Sequence, residues 1–214
     1  MMRNKQTITI QFYERMIVMS ELLKGGWMML PLALCSIIAV AIIIERFFFF
    51  KRMGKAAIAE EVLELVNYGR INDALALTKK SSLPLAKVMA AGITHQLDAA
   101  KAMESAGITE CSVMKRGLSV LDTIVTLSPL LGLLGTIIGM INSFQIMALV
   151  GTGQPHAVTG GVAEALIATA TGITVAVIAL IPYNYFVARI ERETEVIEHY
   201  ATRLEMALTT QSQE

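Results

Sequence analysis

Long apolar runs alternate with segments of mixed charge along this 214-residue chain. The 20 residues between Lys24 and Glu45 carry no charged side chain. Of the 66 residues between Asp122 and Arg189, Glu164 is the one Asp, Glu, Lys or Arg. A helix crossing the hydrocarbon core of a bilayer needs about 20 apolar residues. Both regions therefore read as membrane, and the second is long enough for two crossings. Its middle, GTGQPH (151–156), has turn chemistry and divides it. The pattern predicts three membrane helices, at 25–50, 119–150 and 157–188. So short a loop makes the last two antiparallel neighbours.

Residues 51–118 follow a different pattern. Glu60, Glu61, Glu64, Arg70, Asp73, Lys79, Lys80 and Lys87 recur at helical spacing around short apolar stripes. Val62, Leu65 and Val66 form one stripe, and Ala74, Leu75 and Leu77 another. Gly69 and SSLP (81–84) punctuate them, with Ser82 expected to cap a helix that starts at Pro84. This is a domain of short solvent-facing helices. The tail, 189–214, keeps a helical period and is expected to continue the third membrane helix. At 1–24, Phe12, Met16, Met19 and Leu23 predict an amphipathic helix on a membrane surface. Glu14, Arg15 and Glu21 interrupt that stretch, so it does not read as a cleaved signal peptide. Strand-like alternation is not evident, and the fold class is all-α membrane protein.

Composition agrees. The chain is 54% hydrophobic with a mean hydropathy of +0.57, more apolar than a soluble domain. A formal net charge of zero leaves no basic field for a nucleic-acid partner. The distribution of charge sets the orientation: 11 Lys/Arg lie in 46–118, three follow residue 188, and none lies in 150–163. Positive charge stays on the cytoplasmic side, so the 51–118 domain and the tail are expected there. The amino terminus and the short loop then lie on the far side, although Arg3, Lys5, Arg15 and Lys24 pull weakly the other way. Trp27 suits one interface, and Arg46, Lys51 and Arg52 in ERFFFFKR end transfer at the other. Cys35 and Cys111 are too far apart in character to suggest a disulfide, and His95, His156 and His199 are scattered. Neither type shows metal-ligand spacing. There is no nucleotide-binding loop, Ser–His–Asp order or redox motif, so neither an enzyme nor a cofactor is expected.

The two central helices carry the informative faces. Ser128, Gly132, Gly135, Thr136, Gly139, Asn142 and Ser143 recur every three or four residues on the second span. Small residues allow close helix packing in lipid, and Thr136 and Asn142 also suit a pore-lining face; both readings stay open. On the third span, at about 100° per residue, Gly161, Ala165, Ala168, Gly172, Ala176 and Ala179 share one small face. Glu164 borders it on one edge and Thr169 on the other. Leu166, Ile173, Val177 and Leu180 lie opposite. A carboxylate deep in a membrane costs roughly 2.5–3.5 kcal/mol on insertion scales and so faces protein or water. Glu164 is either an edge carboxylate, free or bonded to a neighbouring subunit, or part of an ion path. No Lys or Arg in the spans pairs with it, which argues against a self-contained transporter.

Four stretches, GGWMMLPLALCSIIAVAIIIERFFF, LSPLLGLLGTIIGMINSF (127–144), GGVAEALIATATGITVAV (160–177) and IPYNYF (181–186), resemble the ExbB/TolQ/MotA proton-channel family. The resemblance covers roughly residues 20 to 190. It implies three spans with the amino terminus outside, in a bacterial inner membrane, and a ring of subunits, a pentamer for an ExbB-like member. The ring would surround the membrane helices of a single-span ExbD-like or TolR-like partner whose aspartate takes up and releases protons. It would energise a TonB-like or TolA-like protein. Thr136 matches the threonine of the GLLGT motif, Glu164 the glutamate of the IAEAL motif and Thr169 the first threonine of ATA–G; all three are implied to line the proton path. Ser128, Gly132, Gly135, Gly139, Asn142, Gly161, Ala168 and Gly172 are expected to pack the helices. MotA-like members have four spans, so the three spans here are closer to ExbB and TolQ, and the first span and the short chain look ExbB-like.

Overall fold

The computed structural model describes residues 26–53, 57–150 and 155–211. Among them are α1 (Met29–Arg52), α2 (Ala57–Asn67), α3 (Ile71–Lys80), α4 (Pro84–Thr94), a short 3-10 turn (Gln96–Asp98), α5 (Ala99–Lys115), α6 (Leu118–Val150) and α7 (Pro155–Gln211). No strand occurs among the described residues. The surface helix expected at 1–24 lies outside them, as does most of the 151–156 turn. Three helices are long and apolar enough to cross a membrane. The tail is helical as expected: α7 runs unbroken for 57 residues, far beyond the ~20 that one crossing needs.

The described residues divide into two compact units, 26–43 with 120–182, and 44–119 with 183–211. In the first, many buried positions are small, among them Ala39, Ser128, Ala165, Ala168 and Ala179, alongside the larger Leu32, Leu121 and Ile124. Many bulky side chains point outward. Leu30, Ile37, Leu130, Leu166 and Ile181 are each more than 60% exposed. An apolar surface this continuous belongs against lipid or another apolar chain rather than water. Threonines on these helices donate back to the carbonyl four residues earlier, Thr171 to Ile167 at 2.8 Å and Thr174 to Ala170 at 2.7 Å. In lipid, where no water is present, that satisfies each hydroxyl proton locally.

The second unit has a conventional core. Val62, Val66, Met89, Met114, Phe186 and Leu204 are almost fully buried, each worth roughly 1.5–3 kcal/mol of burial. The predicted stripes supply it: Val62, Val66 and Ala74 are buried, with Leu65, Leu75 and Leu77 packed against them. Gly69 ends α2 at φ +72°, and the Arg70 N–H reaches back to the Leu65 carbonyl at 2.9 Å. Glycine adopts that left-handed conformation without penalty. The Gln211 amide donates to the Val66 carbonyl, 2.6 Å, and satisfies another acceptor at the end of α2.

Two local expectations are corrected. Ser82 does not cap α4; Leu83 holds that position without a side-chain bond, with Pro84 at the first turn. It is Ser81 whose hydroxyl accepts, from the Leu83 N–H at 3.3 Å. Arg46 is not exposed as Lys51 and Arg52 are. It is 3% exposed and donates to the Val113 and Met114 carbonyls at 3.2 and 3.4 Å, with Glu45 at 2.8 Å. Those carbonyls end α5, where the helix dipole is negative and acceptors lack intrahelical donors. That need draws the guanidinium inward.

Candidate functional site

The small residues of α6 and α7 form one seam within the first unit. On α6, Ser128, Gly132, Gly135, Gly139 and Ser143 are buried; on α7, Ala165, Ala168, Gly172, Ala176 and Ala179 are. The approach is close enough to exclude a methyl group at several points. A β-carbon on Gly132 would meet the Thr169 α-carbon at 3.0 Å and the Ala168 carbonyl oxygen at 3.1 Å. One on Gly139 would meet the Ala165 β-carbon at 2.8 Å and the Gly161 carbonyl oxygen at 3.1 Å. One on Gly172 would fall 2.5 Å from the Ser128 carbonyl oxygen. Gly161 faces the Ser143 hydroxyl, which itself donates to the Gly139 carbonyl at 2.9 Å. Backbone-to-backbone contact of this kind is how helices associate in lipid without a hydrophobic driving force.

Asn142 lies off the seam and is exposed. It stands one residue, about 100°, from the buried Ser143. The two readings open for the α6 stripe therefore separate: its small residues are filled by α7 of the same chain, while Thr136 and Asn142 remain at or beyond the edge.

The polar groups border the seam. Thr169 donates across it to the Gly132 carbonyl, 2.9 Å, a bond between helices 37 residues apart in sequence. Thr136, half-buried, donates within its own helix to the Leu133 carbonyl at 2.6 Å. Both hydroxyl protons are thus engaged, and both oxygens keep the capacity to accept. Glu164 is half-buried. Its carboxylate occupies the space that a β-carbon of Gly26 would need, and Gly26 has φ +70°. The sequence reading missed Gly26; a glycine just before the first span was the available signal. Ser128, read from the sequence as a packing residue, has its Oγ fully buried without a hydrogen-bond partner among the described residues.

Elsewhere, no group of His, Cys, Asp and Glu able to hold a metal ion occurs among the described residues. Cys35 and Cys111 are free thiols, the latter 3.4 Å from the Thr194 hydroxyl. His95 and His199 are exposed.

A tight glycine–alanine seam bordered by threonines and a carboxylate, on helices long enough to span a bilayer, is the geometry of closely packed membrane helices. Residues 80–199 match the MotA/TolQ/ExbB proton channel family. The chain belongs to that family. Similarity extends along most of its length to a putative biopolymer transport protein ExbB-like 3 of Synechocystis sp., 34% identical over 190 residues, which are 85% of this chain and 90% of that protein. It is 44% identical over 92 residues to the Tol-Pal system protein TolQ of Pseudomonas aeruginosa, covering 43% of this chain and 40% of that one. Against the biopolymer transport protein ExbB of Salmonella typhimurium it is 44% identical over 77 residues, 36% of this chain and 32% of that one. The matched region takes in the whole seam, with Thr136, Glu164 and Thr169 inside it. Family membership and the three apolar helices make this a multi-pass inner-membrane protein of a proton-channel family, which is not an enzyme family.

Proposed function

We propose that this chain is the ring subunit of a proton-driven motor that works with an ExbD-like single-span partner to energise TonB-dependent uptake across an outer membrane. The observation that carries this reading is the ExbB-like relative matched over 85% of the chain. In this account the subunits form a ring, a pentamer, around the partner's helices. The 51–118 domain and the 189–214 tail are cytoplasmic, and the amino terminus and the 151–156 loop are periplasmic.

Thr136, Glu164 and Thr169 border the proton path. The chain's own chemistry supports a supporting rather than carrying role for them. Glu164 is the one Asp, Glu, Lys or Arg between Asp122 and Arg189, so that stretch offers no second charged group to which it could hand a proton. The titrating aspartate then belongs to the partner, while the Thr136 and Thr169 oxygens offer acceptors along its route. The membrane potential supplies about 2.3 kcal/mol per charge per 100 mV.

The TolQ match supports a second reading, a subunit that works with TolR-like and TolA-like partners, because the local identity to TolQ equals that to ExbB. Complementation separates the two. The chain, expressed with an ExbD-like or a TolR-like single-span protein, is placed in strains lacking either ring subunit. Restored uptake of iron chelates supports the ExbB-like role. Restored detergent resistance alone supports the TolQ-like role. Restoration of neither, with normal protein levels, rejects both.

A further inference from the structure

In the second unit a groove of about 540 Å³ opens beside the last turns of α1, bordered by the start of α4 and by α5. Phe48, Phe49, Leu83 and Val113 line its apolar side, and Arg52 and Lys87 are its cations. Phe48 is 56% exposed. The groove's two carboxylates are already engaged, Glu45 with Arg46 at 2.8 Å and Glu110 with Lys87 at 2.9 and 3.0 Å. Arg52 has no ion-pair partner among the described residues, so it sets the net charge of the groove. The Lys87 side chain is 49% exposed and keeps donor capacity beyond Glu110.

The location fits the chemistry. The groove lies where a 24-residue apolar helix ends in Lys51 and Arg52, the level at which a membrane helix meets lipid headgroups. We propose that it holds an anionic phospholipid, with the phosphate between Arg52 and Lys87 and the upper part of an acyl chain along Phe48 and Phe49. Free phosphate would leave the aromatic side unfilled. A zwitterionic lipid would leave the Arg52 charge uncompensated. Basic pockets beside membrane helices bind anionic headgroups for this reason. The inference rests on membrane insertion of α1 and not on the motor reading.

Trp27 is the chain's single tryptophan, so Trp27→Phe combined with Phe48→Trp places one emitter in the groove. The full-length protein is inserted into phosphatidylcholine vesicles containing a minority of phosphatidylglycerol. Bromine is carried either by the phosphatidylglycerol chains or by an equal amount of phosphatidylcholine. The proposal expects brominated phosphatidylglycerol to quench severalfold more strongly. Arg52→Gln should abolish that preference, and Lys87→Gln with Glu110→Gln, which leaves no carboxylate unpaired, should weaken it. Equal quenching by the two lipids overturns the proposal, as does a preference that survives both sets of substitutions. Quenching by neither lipid would mean that a neighbouring chain fills the groove, and overturns it too. A second measurement needs no tryptophan exchange. Phospholipid retained on detergent-purified protein should be enriched in phosphatidylglycerol relative to the membrane extract, and Arg52→Gln should remove the enrichment.

Discussion

Thr169 donates a 2.9 Å hydrogen bond to the backbone carbonyl of Gly132, joining two membrane helices at a point where neither has room for another carbon. The bond depends on the glycine. Only a backbone this bare lets a threonine hydroxyl on one helix reach a carbonyl on the next. Replacing Thr169 with valine keeps the shape and removes the donor, and should destabilise the protein by about 1 kcal/mol, in line with interhelical bonds in lipid. Thr169→Ser retains the hydroxyl and should recover most of the loss. Thermal unfolding in mild detergent measures both.

The seam itself predicts a sharper asymmetry among glycines. Gly172→Ala forces a methyl against the Ser128 carbonyl oxygen at 2.5 Å and the Gly132 α-carbon at 3.0 Å. Neither neighbour is a flexible side-chain end, so the helices must separate, at a cost of about 1–3 kcal/mol. Gly107, inside α5, meets nothing within 4 Å. There alanine should stabilise by about 0.5–1 kcal/mol, because glycine is a poor residue in a helix interior. Opposite signs in the same unfolding assay are the expected result.

Much of this was legible from the chain. The apolar runs located α1, α6 and α7, and the spacing of Gly132, Gly139, Gly161 and Gly172 marked the faces that meet. The 3.6-residue period around Val62, Val66 and Ala74 marked the core of the second unit. Arg46 was not legible, because its role is set by carbonyls 67 and 68 residues away at the end of α5. The exchange of Ser82 for Ser81 turns on backbone angles before Pro84 that composition does not encode. For the candidate site, the edges at Glu164 and Thr169 follow from helical geometry. The pairing of Glu164 with Gly26 does not, since it depends on how two helices meet.

In the second unit, Glu60 receives two bonds from Arg203, at 2.7 and 3.0 Å, and one from the Tyr200 hydroxyl at 2.9 Å. The Arg203 bonds chiefly, with the Tyr200 bond next, hold the Glu60 carboxyl below its ordinary value of 4.5. A carboxyl with a lowered folded value contributes stability that is present above the unfolded value and lost as pH falls through the folded one. The unsubstituted protein should therefore lose stability on acidification below about 4.5 more steeply than Glu60→Gln, which cannot titrate. The pair is exposed, so the difference should be small and should shrink in high salt. Unfolding midpoints across an acid series, at two salt concentrations, test this.

Proton movement is the central claim. The chain, reconstituted with its single-span partner in vesicles, should take up protons under an imposed membrane potential. Uptake should fall at least tenfold, at unchanged protein level and ring size, when Thr136→Ala and Thr169→Ala are combined. Glu164→Ala should impair uptake similarly, and Glu164→Gln less, because it preserves hydrogen bonding. The chain alone should conduct little. Full proton uptake by the double threonine variant, or equal flux with and without the partner, would contradict the account.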